Sequence, residues 1–137
     1  MTTNIKKAYA DMSSTSGALW IKLCKKADKA LELYIKTKLE YTAIDTGAKR
    51  NVTYRRFFPV SHFPWLRWHP LNGAIWSNDT IAQYDGGYPV PYLEAYKAYV
   101  EDNWEGMLVQ KKVKPLTVQQ LLELIRELSE KTRGLKI

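Results

Sequence analysis

The chain has 137 residues, 45% of them hydrophobic, with 21 Lys and Arg against 14 Asp and Glu and a formal net charge of +7. That length and apolar content carry one domain with a real core and exclude two comfortable ones. The single cysteine, Cys24, excludes a disulfide framework within the chain.

The charge is unevenly placed: residues 1 to 56 hold 12 Lys/Arg and 5 Asp/Glu, whereas residues 57 to 137 hold 9 of each. A charge serving solubility alone would be spread along the chain, so this excess points to a polyanionic partner for the N-terminal part. The first residues, with Lys6 and Lys7, read as a basic arm that ends in the polar run Ser13-Ser14-Thr15-Ser16-Gly17. They are polar and no apolar run of signal-peptide length follows, which predicts a chain made without a secretory leader.

The next stretch, from Ala18 to Lys36, sorts its residues by helical phase. At about 100° per residue, Trp20, Cys24, Ala27, Leu31 and Tyr34 share one arc, and Lys22, Lys25, Lys26, Lys29 and Lys36 share the opposite one. The spacing predicts an amphipathic helix over about residues 17–41, ending near Ile44 at the latest, where Asp45-Thr46-Gly47 supplies turn residues, with a lysine stripe suited to phosphates. Lys49, Arg50, Arg55 and Arg56 then flank Tyr54, a pattern that suits a grip on a phosphate backbone.

From residue 57 to 92 the composition changes to nine aromatics interleaved with five of the six prolines. Prolines at this density argue against long helices and central strands. The segment reads as an ordered irregular crossover, with a short helix near Asn78 to Tyr84. Its aromatics suit either a core or a subunit interface.

Helical periodicity returns from Pro91 to Val109, with Tyr92, Tyr96, Tyr99, Val100, Asn103, Trp104 and Met107 on one face. Lys111-Lys112-Val113-Lys114-Pro115 interrupts it as a basic loop. The last helix starts with a capping box, Thr117 with Gln120, presents Val118, Leu121, Leu122, Ile125 and Leu128 on one side, and is expected to stop at Gly134.

Catalytic constellations are missing from this pattern. His62 and His69 have no acidic residue near them in sequence, Asp85-Gly86-Gly87 lacks the ligands of a calcium loop, and there is no phosphate-binding or nucleophile motif. No catalytic residue, no metal site and no cofactor is expected. The combined expectation is an all-α helix bundle forming a single folded unit. Residues 1–56 form a basic, nucleic-acid-tracking arm and helix, and residues 57–137 form the aromatic-rich crossover and a C-terminal helical packing region.

In this layout the chain resembles the major coat proteins of the filamentous and rod-shaped viruses of archaea, the lipothrixvirus and rudivirus group. The resemblance is carried by the basic N-terminal helical segment, the proline-containing middle, the Tyr92-Leu93-Glu94-Ala95-Tyr96-Lys97-Ala98-Tyr99-Val100 helix and the later Leu121-Leu122-Glu123-Leu124-Ile125. It departs from the more weakly charged rod-virus subunits in its lysine content and its five tryptophans.

The resemblance implies a helix-bundle subunit that dimerises with itself or with a paralogous coat subunit. It further implies that the basic N-terminal helices wrap double-stranded DNA in a helical virion, after a stay in the host cytoplasm, with membrane contact only indirect through an envelope. Lys22, Lys25, Lys26, Lys29, Lys36, Arg50, Arg55 and Arg56 then line the DNA channel. A small sequence-reading DNA regulator and, further off, a nucleic-acid-processing enzyme using His62 or His69 are the competing readings.

Overall fold

Alanine, leucine and lysine are strong helix formers, and the stretch after Gly17 contains neither glycine nor proline. In a computed structural model that describes residues 17–135, it forms helix α1, Ala18–Lys38. The basic arm, with Lys6 and Lys7, lies outside the described residues. Helix α1 stops three residues earlier than its periodicity suggests, because Glu40 and Tyr41 take φ values of 54° and 56°. Those left-handed residues turn the chain, with the Tyr41 N–H donating to the Lys36 carbonyl (2.9 Å). Lys36 and Lys38 occupy the last turn of α1, where positive charge suits the helix dipole.

Two compact units follow from the chain's contacts. One joins the chain up to Tyr34 with the chain from Lys114 onward, and the other is Ile35–Val113. The second unit opens with a loop and then strand β1, Val52–Arg56, which pairs antiparallel with β2, Gly73–Ser77, in the register Val52↔Ser77, Tyr54↔Ile75, Arg56↔Gly73. A 3-10 turn, Pro64–Leu66, lies between the strands. Three helices complete the unit: α2 (Asn78–Asp85), α3 (Val90–Val100) and α4 (Asn103–Leu108).

The all-α expectation is therefore corrected: the described residues form five α-helices and a two-stranded antiparallel sheet, not an all-α helix bundle. The prolines counted against strands bracket β2, at Pro70 and Pro89, and none falls inside it. A two-stranded ribbon needs only five residues with free amides on each side, and Val52, Thr53, Tyr54, Ile75 and Trp76 are β-branched or aromatic. Nor is the crossover wholly irregular, since it contains β2 and the 3-10 turn. The short helix expected near Asn78 to Tyr84 is present as α2.

The core of this unit is aromatic. Trp76 stacks on Tyr92 (centroids 4.3 Å apart), Phe57 stacks on Tyr96 (4.0 Å), and Phe58, Leu66, Val100 and Met107 are buried with them. The stripe read at 91–109 is thus core, although one helix becomes two: Glu101, at φ 50°, breaks α3 from α4. The Tyr96 hydroxyl donates to the Leu71 carbonyl (2.6 Å), so the one polar atom of the buried ring is satisfied. Gly73 has a packing reason: a Cβ there would lie 2.1 Å from the Tyr54 hydroxyl, so only glycine admits the Tyr54 ring over the ribbon.

Asp45 fastens the loop before β1 to the start of α2. It accepts hydrogen bonds from the Ser77 N–H (3.1 Å), from the Ser77 hydroxyl (2.7 Å) and from the Thr80 hydroxyl. Burial pushes the Asp45 carboxyl up, and the hydrogen bonds from Thr80 and Ser77 outweigh that and hold it below the usual carboxylate value. With the folded pKa depressed, the stability Asp45 contributes is complete above about pH 4, where the unfolded carboxylate is ionised, and is lost as pH falls through the folded value. Asp45→Asn is expected to lower stability at pH 7 by about 1–2 kcal/mol and to flatten the melting-temperature profile between about pH 4 and pH 2. Thermal melts of both proteins across that range check it.

In the other unit, Trp20 on α1 donates its indole N–H to the Leu116 carbonyl (2.6 Å), just ahead of helix α5, Val118–Leu135. The predicted capping box is formed in both directions: the Gln120 N–H donates to the Thr117 hydroxyl (3.1 Å), and the Thr117 N–H donates to the Gln120 side-chain oxygen (2.9 Å). Val118, Leu121 and Leu128 are buried, whereas Leu122 is exposed. Gly134 does not stop the helix, which continues to Leu135.

Candidate nucleic-acid interface

A helix whose apolar arc is buried has its polar arc fixed in space. On α1, Leu23, Cys24, Ala27, Leu31 and Ile35 are each no more than 6% exposed. Lys22, Lys25, Lys26 and Lys29 lie on the other side, all exposed. These four lysines make no ion pair among the described residues. Lys22 with Lys26 and Lys25 with Lys29 are like charges four residues apart, and each such pair weakens a helix by about 0.2–0.5 kcal/mol. The buried arc offsets that cost, at roughly 1.5–3 kcal/mol per large apolar side chain. Trp20 and Tyr34, placed in the apolar arc by phase, are half-buried at its edges, and Leu23 and Ile35 extend it.

The remaining candidates belong to the Ile35–Val113 unit and divide into two groups. Lys49 and Arg50 are exposed in the turn before β1, next to Asn51 at φ 55°. Lys36, Arg55 and Arg56 are half-buried and engaged. The Lys36 ammonium lies 5.9 Å from the centre of the Tyr54 ring. Arg56 also has interactions within the fold.

Arg55 forms an ion pair with Asp85 (3.0 Å) and lies over Tyr84 and Tyr92 at 5.7 and 5.9 Å. Hydrogen bonding to Asp85 raises its pKa and keeps the guanidinium charged. Its other terminal nitrogen, Nη1, is buried without a hydrogen-bond partner among the described residues. The planar guanidinium is thus spent on tying β1 to α2 and α3. The basic pairs around Tyr54 do not act as one grip: the ring faces Gly73 and Lys36, and Arg55 faces Asp85.

Residues that sequence alone left out of the candidate set include Lys38, exposed at the end of α1, and Lys111 and Lys112, exposed after α4. The signal available for the last two was a run free of Asp and Glu from Gly106 to Leu122.

The histidines serve local structure. His62 Nδ1 lies 2.9 Å from the Ser61 hydroxyl at an exposed turn. His69 Nδ1 accepts the Leu71 N–H (3.1 Å), and burial, followed by the charge of Lys111, pulls its pKa below the usual histidine value. Among the described residues no three His, Cys, Asp or Glu side chains cluster as metal ligands, and Cys24 is buried. No helix among the described residues is long and apolar enough to cross a membrane.

Chemically, the lysine face can do one thing well: attract and hold a row of anionic groups. From Lys22 to Lys29 the helix rises about 10.5 Å, a length over which duplex DNA carries about six phosphate charges. Helix α1 contains no Arg, Asn or Gln, the side chains that read base edges. Comparisons with known protein families, curated proteins and solved structures find no match to this chain, so the lysine face itself carries the functional argument.

Proposed function

We propose that this protein is a structural nucleoprotein, a coat protein that binds double-stranded DNA along its phosphate backbone through the lysine face of α1 and covers it without regard to sequence. The observation that carries this reading is the set Lys22, Lys25, Lys26 and Lys29, exposed, free of ion pairs among the described residues, and set opposite the buried Leu23, Cys24, Ala27, Leu31 and Ile35 of the same helix. A lysine ammonium is a compact point charge that meets a phosphate from many directions, which suits positioning contacts and not base readout.

On this reading copies of the chain, or of a paralogous subunit, associate along the duplex into a helical virion. The resemblance to archaeal filamentous-virus coats supplies the virion, and the charge supplies the DNA contact. The fold expected of that family, an all-α bundle, is not part of the support.

Six exposed cations, the four lysines with Lys49 and Arg50, are expected to contribute about −5 to the log–log salt slope at roughly −0.9 per phosphate contact. Fluorescence anisotropy with two duplexes of unrelated sequence, between 50 and 200 mM salt, tests it. The same affinity and slope for both duplexes is the expected result. A preference of a hundredfold or more for one sequence would overturn the coat reading in favour of a sequence-reading regulator.

A further inference from the structure

Residues 57–77 contain no Asp or Glu, and neither do residues 106–122. The Ile35–Val113 unit brings parts of these two stretches together. The Trp65 indole N–H donates to the Met107 carbonyl (2.8 Å), seating the Pro64–Leu66 turn against the end of α4. Just beyond each side of that contact lie the cations. Arg67 closes the 3-10 turn, its N–H bonded to the Pro64 carbonyl (3.3 Å), and its guanidinium stacks on the Trp68 indole at 4.8 Å. Lys111 is close enough to His69 to act on its charge, and both Lys111 and Lys112 are exposed. The His69 ring is held by its Nδ1 acceptor role, which in the neutral form leaves the proton on Nε2, as a donor.

We propose that Arg67, His69, Lys111 and Lys112 form a second surface for the phosphate backbone of duplex DNA, separate from the lysine face of α1. Three cations, the exposed Lys111 and Lys112 and the half-buried Arg67, with the His69 ring donor beside them and no acidic side chain in either contributing stretch, make a positive patch. Stacking on Trp68 holds the Arg67 fork in one plane, so less freedom is lost when it meets a phosphate. Phosphate, not a carboxylate-bearing protein, is the occupant that suits the patch, because the guanidinium fork and the two ammoniums are charged donors with the closely spaced phosphate charges of a duplex as their complement. This inference goes beyond the reading of α1, and either surface is able to bind without the other.

Two readouts on the full chain test it. Arg67→Gln with Lys111→Gln and Lys112→Gln should make the salt slope for an arbitrary-sequence duplex shallower by about 2.7, and the two lysine changes alone by about 1.8, at roughly 0.9 per contact. The second readout is the titration of the His69 ring, followed by NMR in a His62→Gln background so that one histidine remains. Bound phosphate offsets the charge of Lys111, so adding duplex at low salt should raise the His69 pKa in the otherwise wild-type chain and leave it unmoved when Lys111 and Lys112 are Gln. An unchanged slope in the Lys111/Lys112 variant, or a His69 pKa that duplex does not move, overturns the second surface. Failure of the α1 reading shows elsewhere, as an unchanged slope when the α1 lysines are replaced.

Discussion

Replacing Lys22, Lys25, Lys26 and Lys29 together by Gln is expected to make the salt slope of duplex binding shallower by about 3.6, four contacts at roughly 0.9 each. Between 50 and 200 mM salt that is about a hundredfold less loss of affinity than in the unaltered protein, because the variant has far less electrostatic binding to lose. The weakening should be equal for all duplex sequences, since on the proposed reading the four lysines meet phosphates only. Misfolding does not confuse the result. All four side chains are exposed, and the change removes two like-charge pairs, so the thermal melt should stay where it was or rise slightly. A variant that melts normally and keeps the original slope would remove α1 from the DNA interface.

The largest expected loss of stability comes from a residue with no part in binding. Asn72 is 1% exposed and links two loops: its side-chain oxygen accepts the Phe58 N–H (2.9 Å), and its amide donates to the carbonyls of Phe58 (3.1 Å) and Leu66 (3.0 Å). Asn72→Leu keeps the volume and leaves the Phe58 N–H and carbonyl unsatisfied, at roughly 1–3 kcal/mol for each group, while the Leu66 carbonyl keeps the His69 N–H (3.1 Å). A loss of at least about 2 kcal/mol follows, a sizeable fraction of the roughly 5–15 kcal/mol that holds a domain together. Calorimetry should show the melting temperature fall by about 8 °C or more. A fall under about 3 °C would mean that water or relaxed backbone takes over those bonds, and that Asn72 is not the clasp described above.

What the amino-acid sequence revealed depended on whether the deciding interaction was local. The Thr117–Gln120 capping box spans three residues and both of its hydrogen bonds are present. The lysine and apolar arcs of α1 follow from helical phase, and burial agrees with them apart from the half-buried Trp20 and Tyr34 in the apolar arc and the half-buried Lys36 in the lysine arc. The ends of elements were less legible. Glu40, Tyr41 and Glu101 adopt positive φ without being glycine, so nothing in their chemistry announced the end of α1 or the break between α3 and α4.

The β1–β2 ribbon went unseen because its partners are about twenty residues apart across a proline-rich loop, and because Val52–Arg56 carries two arginines that drew attention to charge. Arg55 is the clearest case at the candidate site. Its charge was visible, but Asp85 and the Tyr84 and Tyr92 rings that engage it lie about thirty residues away, and only the fold brings them there. Lys22, Lys25, Lys26 and Lys29, whose environment is set by their own helix, were placed correctly on its exposed side for the opposite reason.

The central claim is that the chain coats duplex DNA regardless of sequence, and electron microscopy of the protein mixed with long double-stranded DNA of arbitrary sequence tests it most directly. At low salt the account predicts regular filaments of constant width that do not depend on the DNA used, and at moderate salt their loss, as the phosphate contacts weaken. Isolated particles at fixed positions on otherwise bare DNA, or no association at all, would contradict it.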